Sequence, residues 1–133
     1  MPSTNAIAVS DFALIHGNGA KEPAQISALI HQTRALPTFK PMPVLINEDD
    51  HEKFDQPINN FSVAISEHVS WGWFDYRRKG ESYDEGYQSP PVNWSISSER
   101  KRVFFKLCAE IAGVKSTSTP TSQISVLKDA DKQ

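Results

Sequence analysis

The chain has 133 residues, of which 38% are hydrophobic and 23% charged, and its formal charge is −2. That is enough chain for one modest domain with a core of its own, and it carries no electrostatic footprint for nucleic acid. The single cysteine, Cys108, excludes an internal disulfide and a cysteine-built zinc site, and no apolar run reaches the roughly 18–20 residues of a membrane span.

The first twenty residues lack the charged and apolar regions of a signal peptide, which leaves the compartment open. Residues 1–5 are polar and are expected to be disordered; a domain is expected over 6–113. Ala6-Ile7-Ala8-Val9 is an apolar lead-in. Asp11-Phe12-Ala13-Leu14-Ile15 reads as a buried strand, ending in His16-Gly17-Asn18-Gly19, where glycines permit a sharp turn. Pro23 opens a helix whose apolar positions Ile26, Leu29, Ile30 and Leu36 have helical spacing, and Pro37 stops it.

Pro43-Val44-Leu45-Ile46-Asn47-Glu48-Asp49-Asp50-His51 organises the rest. A continuous apolar run without alternation suits a strand buried on both faces of a parallel sheet. Its polar end then lies at the carboxyl edge, where parallel α/β folds place their chemistry. Strict period two puts Val44, Ile46 and Glu48 on one face, and Leu45, Asn47 and Asp49 on the other. If the first face looks into a barrel, Glu48 is the inward carboxylate at its mouth.

A polar loop over 52–60 follows, with an N-cap at Asn59 or Asn60. Phe61, Ala64, Ile65 and His68 then recur at the spacing of a one-faced helix. Val69 to Tyr76 reads as a third strand, rich in aromatics and ending at Asp75. The loop from Arg77 to Trp94 exceeds the usual length of a structureless connection. Ser97 is the expected cap of a last helix, with Glu99 in its first turn, a stripe of Val103, Phe104, Leu107, Cys108 and Ile111, and Gly113 closing it. Arg77-Arg78-Lys79 and Arg100-Lys101-Arg102 read as solvated loop and helix-start charges. Residues 114–133 are Ser/Thr-rich and are expected to form a flexible tail. The fold class expected is α/β: three consecutive βα units with right-handed crossovers and a parallel sheet.

A Pro-apolar-Asn-Glu strand end, then a helix, then a strand reading Ser70-Trp71-Gly72-Trp73-Phe74-Asp75, resembles the last units of cellulase-like retaining glycoside hydrolases. The resemblance covers roughly residues 6–113. It implies three consecutive units of a parallel (β/α)8 TIM barrel, incomplete, since a whole barrel takes about 250 residues. It also implies a carbohydrate substrate, no cofactor, and Glu48 as the catalytic nucleophile closing strand seven. Trp71 or Trp73 would line the sugar subsite from strand eight, and His16 would end strand six. Retaining enzymes use two carboxylates about 5–5.5 Å apart; in this clan the acid/base follows strand four, which the chain does not contain, so the chain alone is expected to be inactive.

Each residue also has a plainer reading. Glu48 is either the nucleophile or a strand-end acid that caps a loop or pairs with an arginine. Asp49, Asp50 and His51, with His16, have ligand chemistry, but adjacent residues rarely converge, and no metal is expected. Trp71 and Trp73 share a strand face and serve either as a sugar platform or as core. His16, Asn18, Asn47, Asp50 and His51 are candidates for substrate contact, and Asn18 is equally suited to stabilising its turn. Asp75 either orients a histidine or contacts substrate, or it caps its loop. Tyr83, Tyr87, Gln88, Asn93 and Trp94 have carbohydrate-contact chemistry; the tyrosines and Trp94 serve alternatively as pins holding the loop to the rim, the reading preferred for Trp94. The rival function is a non-catalytic carbohydrate-binding or assembly remnant that self-associates, or pairs with a missing N-terminal part, through an open sheet edge. Neither nucleic acid nor membrane is an expected partner.

Overall fold

The computed structural model describes residues 2–114, so the expected tail over 114–133 lies, but for Val114, outside the described residues. The order of elements is α1 (Thr4–Val9), β1 (Ala13–His16), α2 (Pro23–Arg34), β2 (Val44–Asp49), α3 (Asn60–Ser66), β3 (Ser70–Trp73) and α4 (Glu99–Ile111). The three strands are parallel and lie in sequence order, β1-β2-β3. The α/β class read from the alternation of strand and helix patterns is therefore the class of the molecule.

Local chemistry sets most boundaries. Gln25 Oε1 accepts the Glu22 N–H at 3.1 Å, and Pro23 occupies the first turn of α2 without a wasted donor. Asn59 and Ser62 exchange reciprocal side-chain-to-backbone bonds of 2.9 Å at the start of α3. Two expected ends move. α1 begins at Thr4, inside the stretch expected to be disordered, because Ser3 Oγ accepts the Ala6 N–H. α4 is capped by Ser98 rather than Ser97, whose hydroxyl donates to Asp84 instead.

The buried side chains of the sheet, Ala13, Ile15, Val44 and Ile46, pack against Ile7 of α1, Ile26 and Ile30 of α2 and Ala64 of α3. Successive strand residues face opposite ways, so Leu14, which alternates with Ala13 and Ile15, lies on the other face and is 42% exposed. The helices therefore cover one face of the sheet and leave the other open. Next to this aliphatic core, Phe54 of the β2–α3 loop, Phe61 of α3 and Phe104 of α4 close over Trp71 and Trp73.

Candidate functional site

The end of β2 departs from strict alternation, and this decides where its ionisable groups go. Ile15 pairs with Ile46, but His16 pairs with Glu48; on the other side Ile46 pairs with Trp71 and Asp49 with Trp73. β2 thus carries one more residue than either neighbour between those points, a bulge. Gly72 lets the bulge pass, since a Cβ there would stand 2.8 Å from the Asn47 carbonyl oxygen. The consequence is a correction to the faces expected from period two. Val44 and Ile46 face the helices, and it is Asp49, fully buried, that continues their face. Glu48 is turned back to the open face, where it meets His16.

Glu48 sits among donors at the carboxyl edge. Asn18 Nδ2 donates to its Oε2 at 3.2 Å, His16 Nδ1 lies 3.4 Å from the same oxygen, and Asn47 Nδ2 reaches Oε1 at 3.5 Å. Its side chain is one-third exposed, accessible to a ligand. Asn47 Oδ1 is buried and takes no hydrogen bond from the protein, an acceptor suited to a hydroxyl donor. His16, Asn18, Asn47 and Glu48, four residues singled out from sequence, are thereby one group.

A second group lies on the helix side. Asp49 Oδ2 accepts from Asn60 Nδ2 at 2.9 Å and from the Trp71 indole N–H at 3.0 Å, while Oδ1 accepts the His51 N–H at 3.0 Å. Gly17 passes against this carboxylate so closely that a Cβ would lie 2.8 Å from Asp49 Cβ. His51 Nδ1 stands 3.1 Å from both Asp49 Oδ1 and Asp50 Oδ1. Asp49, Asp50 and His51 form the group among the described residues whose ligand atoms are near enough for a shared cation. As placed, His51 Nδ1 hydrogen-bonds Asp49 Oδ1 and lies beside Asp50 Oδ1, a buried atom without a hydrogen-bond partner among the described residues.

Three expected substrate contacts have other company. Trp71 gives its indole N–H to Asp49 and its ring to Phe61 at 5.2 Å. Trp73 packs on Phe54 at 5.2 Å and Phe104 at 4.8 Å. Both indoles belong to the aromatic layer beneath the helix side of the sheet, the core alternative. Asp75 is 1% exposed, paired with Arg100 at 2.7 Å, and accepts the Tyr87 N–H at 3.1 Å. It organises the long loop, the capping alternative, and does not join Glu48.

Arg100, read from sequence as a solvated charge, is a mostly buried hub, its side chain 13% exposed. Its guanidinium meets Glu52, Asp75, Glu81 and Glu85 within 3.5 Å. Burial pushes the Glu52 carboxyl above its usual range despite Arg100 and Arg78 beside it. Burial also raises Glu81, but there the Arg78 N–H and Arg100 prevail and hold its carboxyl below that range. The Arg100 guanidinium loses by desolvation but gains more from Glu52 and Asp75, which raise it. Periodicity placed Arg100 at a helix start; only the tertiary fold brings the four acids to it.

Among the described residues no helix is long and apolar enough to cross a membrane. No protein-family model, curated protein or solved structure matches the chain.

Proposed function

We propose that the chain supplies three consecutive βα units of a cellulase-like (β/α)8 barrel that cleaves O-glycosidic bonds with retention, and that Glu48 is its nucleophile. The observation carrying this reading is Glu48 at the carboxyl edge of β2, on the helix-free face, among Asn18, His16 and Asn47. Strands in sequence order with helices on one face are the arrangement of a singly wound barrel wall. In the proposed reaction a Glu48 oxygen attacks the anomeric carbon as the bond to the leaving oxygen breaks. That oxygen takes a proton from an acid/base carboxylate on another strand of the barrel, and water then hydrolyses the glycosyl ester. Asn18, Asn47 and His16 hold Glu48 in place and offer hydrogen bonds to sugar hydroxyls. No cofactor enters, and the chain alone does not turn over.

The test uses the protein as purified from its source, with aryl glycosides as substrates and 2-deoxy-2-fluoroglycosyl fluorides as traps. A glycosyl adduct mapped to Glu48, and turnover lost in Glu48→Gln with substrate binding kept, are the expected results. An adduct on another residue, or unchanged hydrolysis in the variant, refutes the assignment.

One observation favours a second reading, a non-catalytic assembly module. Among the described residues β1 and β3 each pair on one side only, and Leu14 and Phe12 are exposed by 42% and 52% beside the β1 edge. A concentration-dependent oligomer without hydrolysis would support it, and a monomer at all concentrations would remove it.

A further inference from the structure

The long loop between β3 and α4 carries an aromatic side chain that the core does not use. Trp94 is 68% exposed, although a tryptophan has more to gain from burial than almost any side chain. Its ring is nevertheless held. Tyr87 stacks beneath it, with centroids 6.0 Å apart and planes 14° from parallel, so one indole face is occupied and the other is free.

The support under this stack is rigid. Tyr87 gives its hydroxyl to the Ser95 carbonyl at 2.9 Å and its N–H to the buried Asp75. The Lys101 ammonium lies 3.9 Å from the centre of the Tyr87 ring and donates to the Asn93 carbonyl at 3.0 Å. Asn93 fixes the backbone on either side: its N–H binds the Tyr83 carbonyl at 2.6 Å, its Oδ1 accepts the Ser95 N–H, and its Nδ2 donates to Asp84. Asp84 also takes the Ser97 hydroxyl, and these two donors hold its carboxyl below the usual range. A flat apolar ring fixed in this way costs little entropy to bind against.

We propose that Trp94 is a stacking platform for one pyranose ring of a carbohydrate chain, a subsite made of different residues from the His16–Glu48 group. The inference rests on the carbohydrate reading above and extends it. A pyranose offers a flat C–H face to the free side of the indole and a rim of hydroxyls. The neighbourhood of Trp94 is polar, with Asp84, Asn93, Ser95 and Ser97, and Tyr83 is a second exposed aromatic joined to it through Asn93. That combination suits an amphipathic ring better than a broad apolar partner.

The experiment is a calorimetric titration of the full chain with cellohexaose and with mannohexaose. The wild type is compared with Trp94→Ala, Trp94→Phe and Glu48→Gln, and near-ultraviolet circular dichroism checks that each variant is folded. A saturable change in the wild type and Glu48→Gln, weaker by about tenfold or more in Trp94→Ala and only a few-fold in Trp94→Phe, is expected. Binding unchanged in Trp94→Ala overturns the platform; if that binding is then lost in His16→Ala or Asn18→Ala, the carbohydrate reading stands without it. No saturable change with either sugar, or a Trp94→Ala effect confined to oligomeric state, also overturns the platform. Loss in Trp94→Ala together with failure to trap Glu48 keeps the platform and removes the nucleophile.

Discussion

Replacing Asp49 tests the fold where its chemistry is most concentrated. In Asp49→Ala the Trp71 indole N–H and the His51 N–H lose their acceptor, while Asn60 keeps its bond to the Ala20 carbonyl at 3.1 Å. A buried donor left unpaired costs about 1–3 kcal/mol, so two cost about 2–6 kcal/mol. Small domains have only about 5–15 kcal/mol in all. The variant should therefore lose at least roughly 1 M from its urea midpoint, with a slope of about 2 kcal/mol/M. Asp49→Asn should lie between. If its one oxygen faces Asn60 and Trp71, its amide is set against the His51 N–H, and the flipped rotamer sets the amide against the other two donors. Unfolding is followed by tryptophan fluorescence, and the Trp71 indole proton resonance should move upfield in Asp49→Ala as its bond is lost. A stability loss below about 0.5 kcal/mol in Asp49→Ala, with that resonance unmoved, would refute the network.

Two further expectations concern the Arg100 hub. Arg100→Met should cost about 3–5 kcal/mol, because Asp75 is left as a buried unpaired charge; Arg100→Lys should recover part of it, and a loss under about 1 kcal/mol in urea would count against the hub. Glu52 has a folded pKa raised above its ordinary 4.5, chiefly by burial. Its contribution to stability is therefore full below that value and lost as pH rises through the raised one. Glu52→Gln cannot lose it, so between pH 4 and pH 7 stability should shift in the variant's favour relative to wild type; a gap that stays constant across that range would contradict the burial of Glu52.

What was legible in the sequence, and what was not, divides along a physical line. Pattern and punctuation at Pro23, Asn59 and Gly113 are local, and they located three strands and three of the helices to within a few residues. α1 escaped because six residues make too short a helix for periodicity to register. The faces of β2 failed for a different reason. Period two assumes an unbroken ladder, and the extra residue near Asn47 has no signature in its own side chain; its sign is the glycine opposite, Gly72, on the neighbouring strand.

That bulge parted residues that period two puts on one face. Val44 and Ile46 face the helices rather than a barrel interior, yet Glu48 still reaches the open face, because the added residue turns it over. Trp71 and Trp73 share a face, as their spacing requires, but three phenylalanines from a loop and two helices decide what that face meets. Which aromatic pins the loop is decided for a similar reason. The residue that pins the loop is the one with a buried carboxylate for its N–H and an ammonium under its ring, and that residue is Tyr87. Asp75, 12 residues to its N-terminal side, and Lys101, 14 to its C-terminal side, make it so. Pairings at that separation are fixed by the packing of α4 against β3, so Trp94 could only be recognised as the exposed ring once the helix was in place.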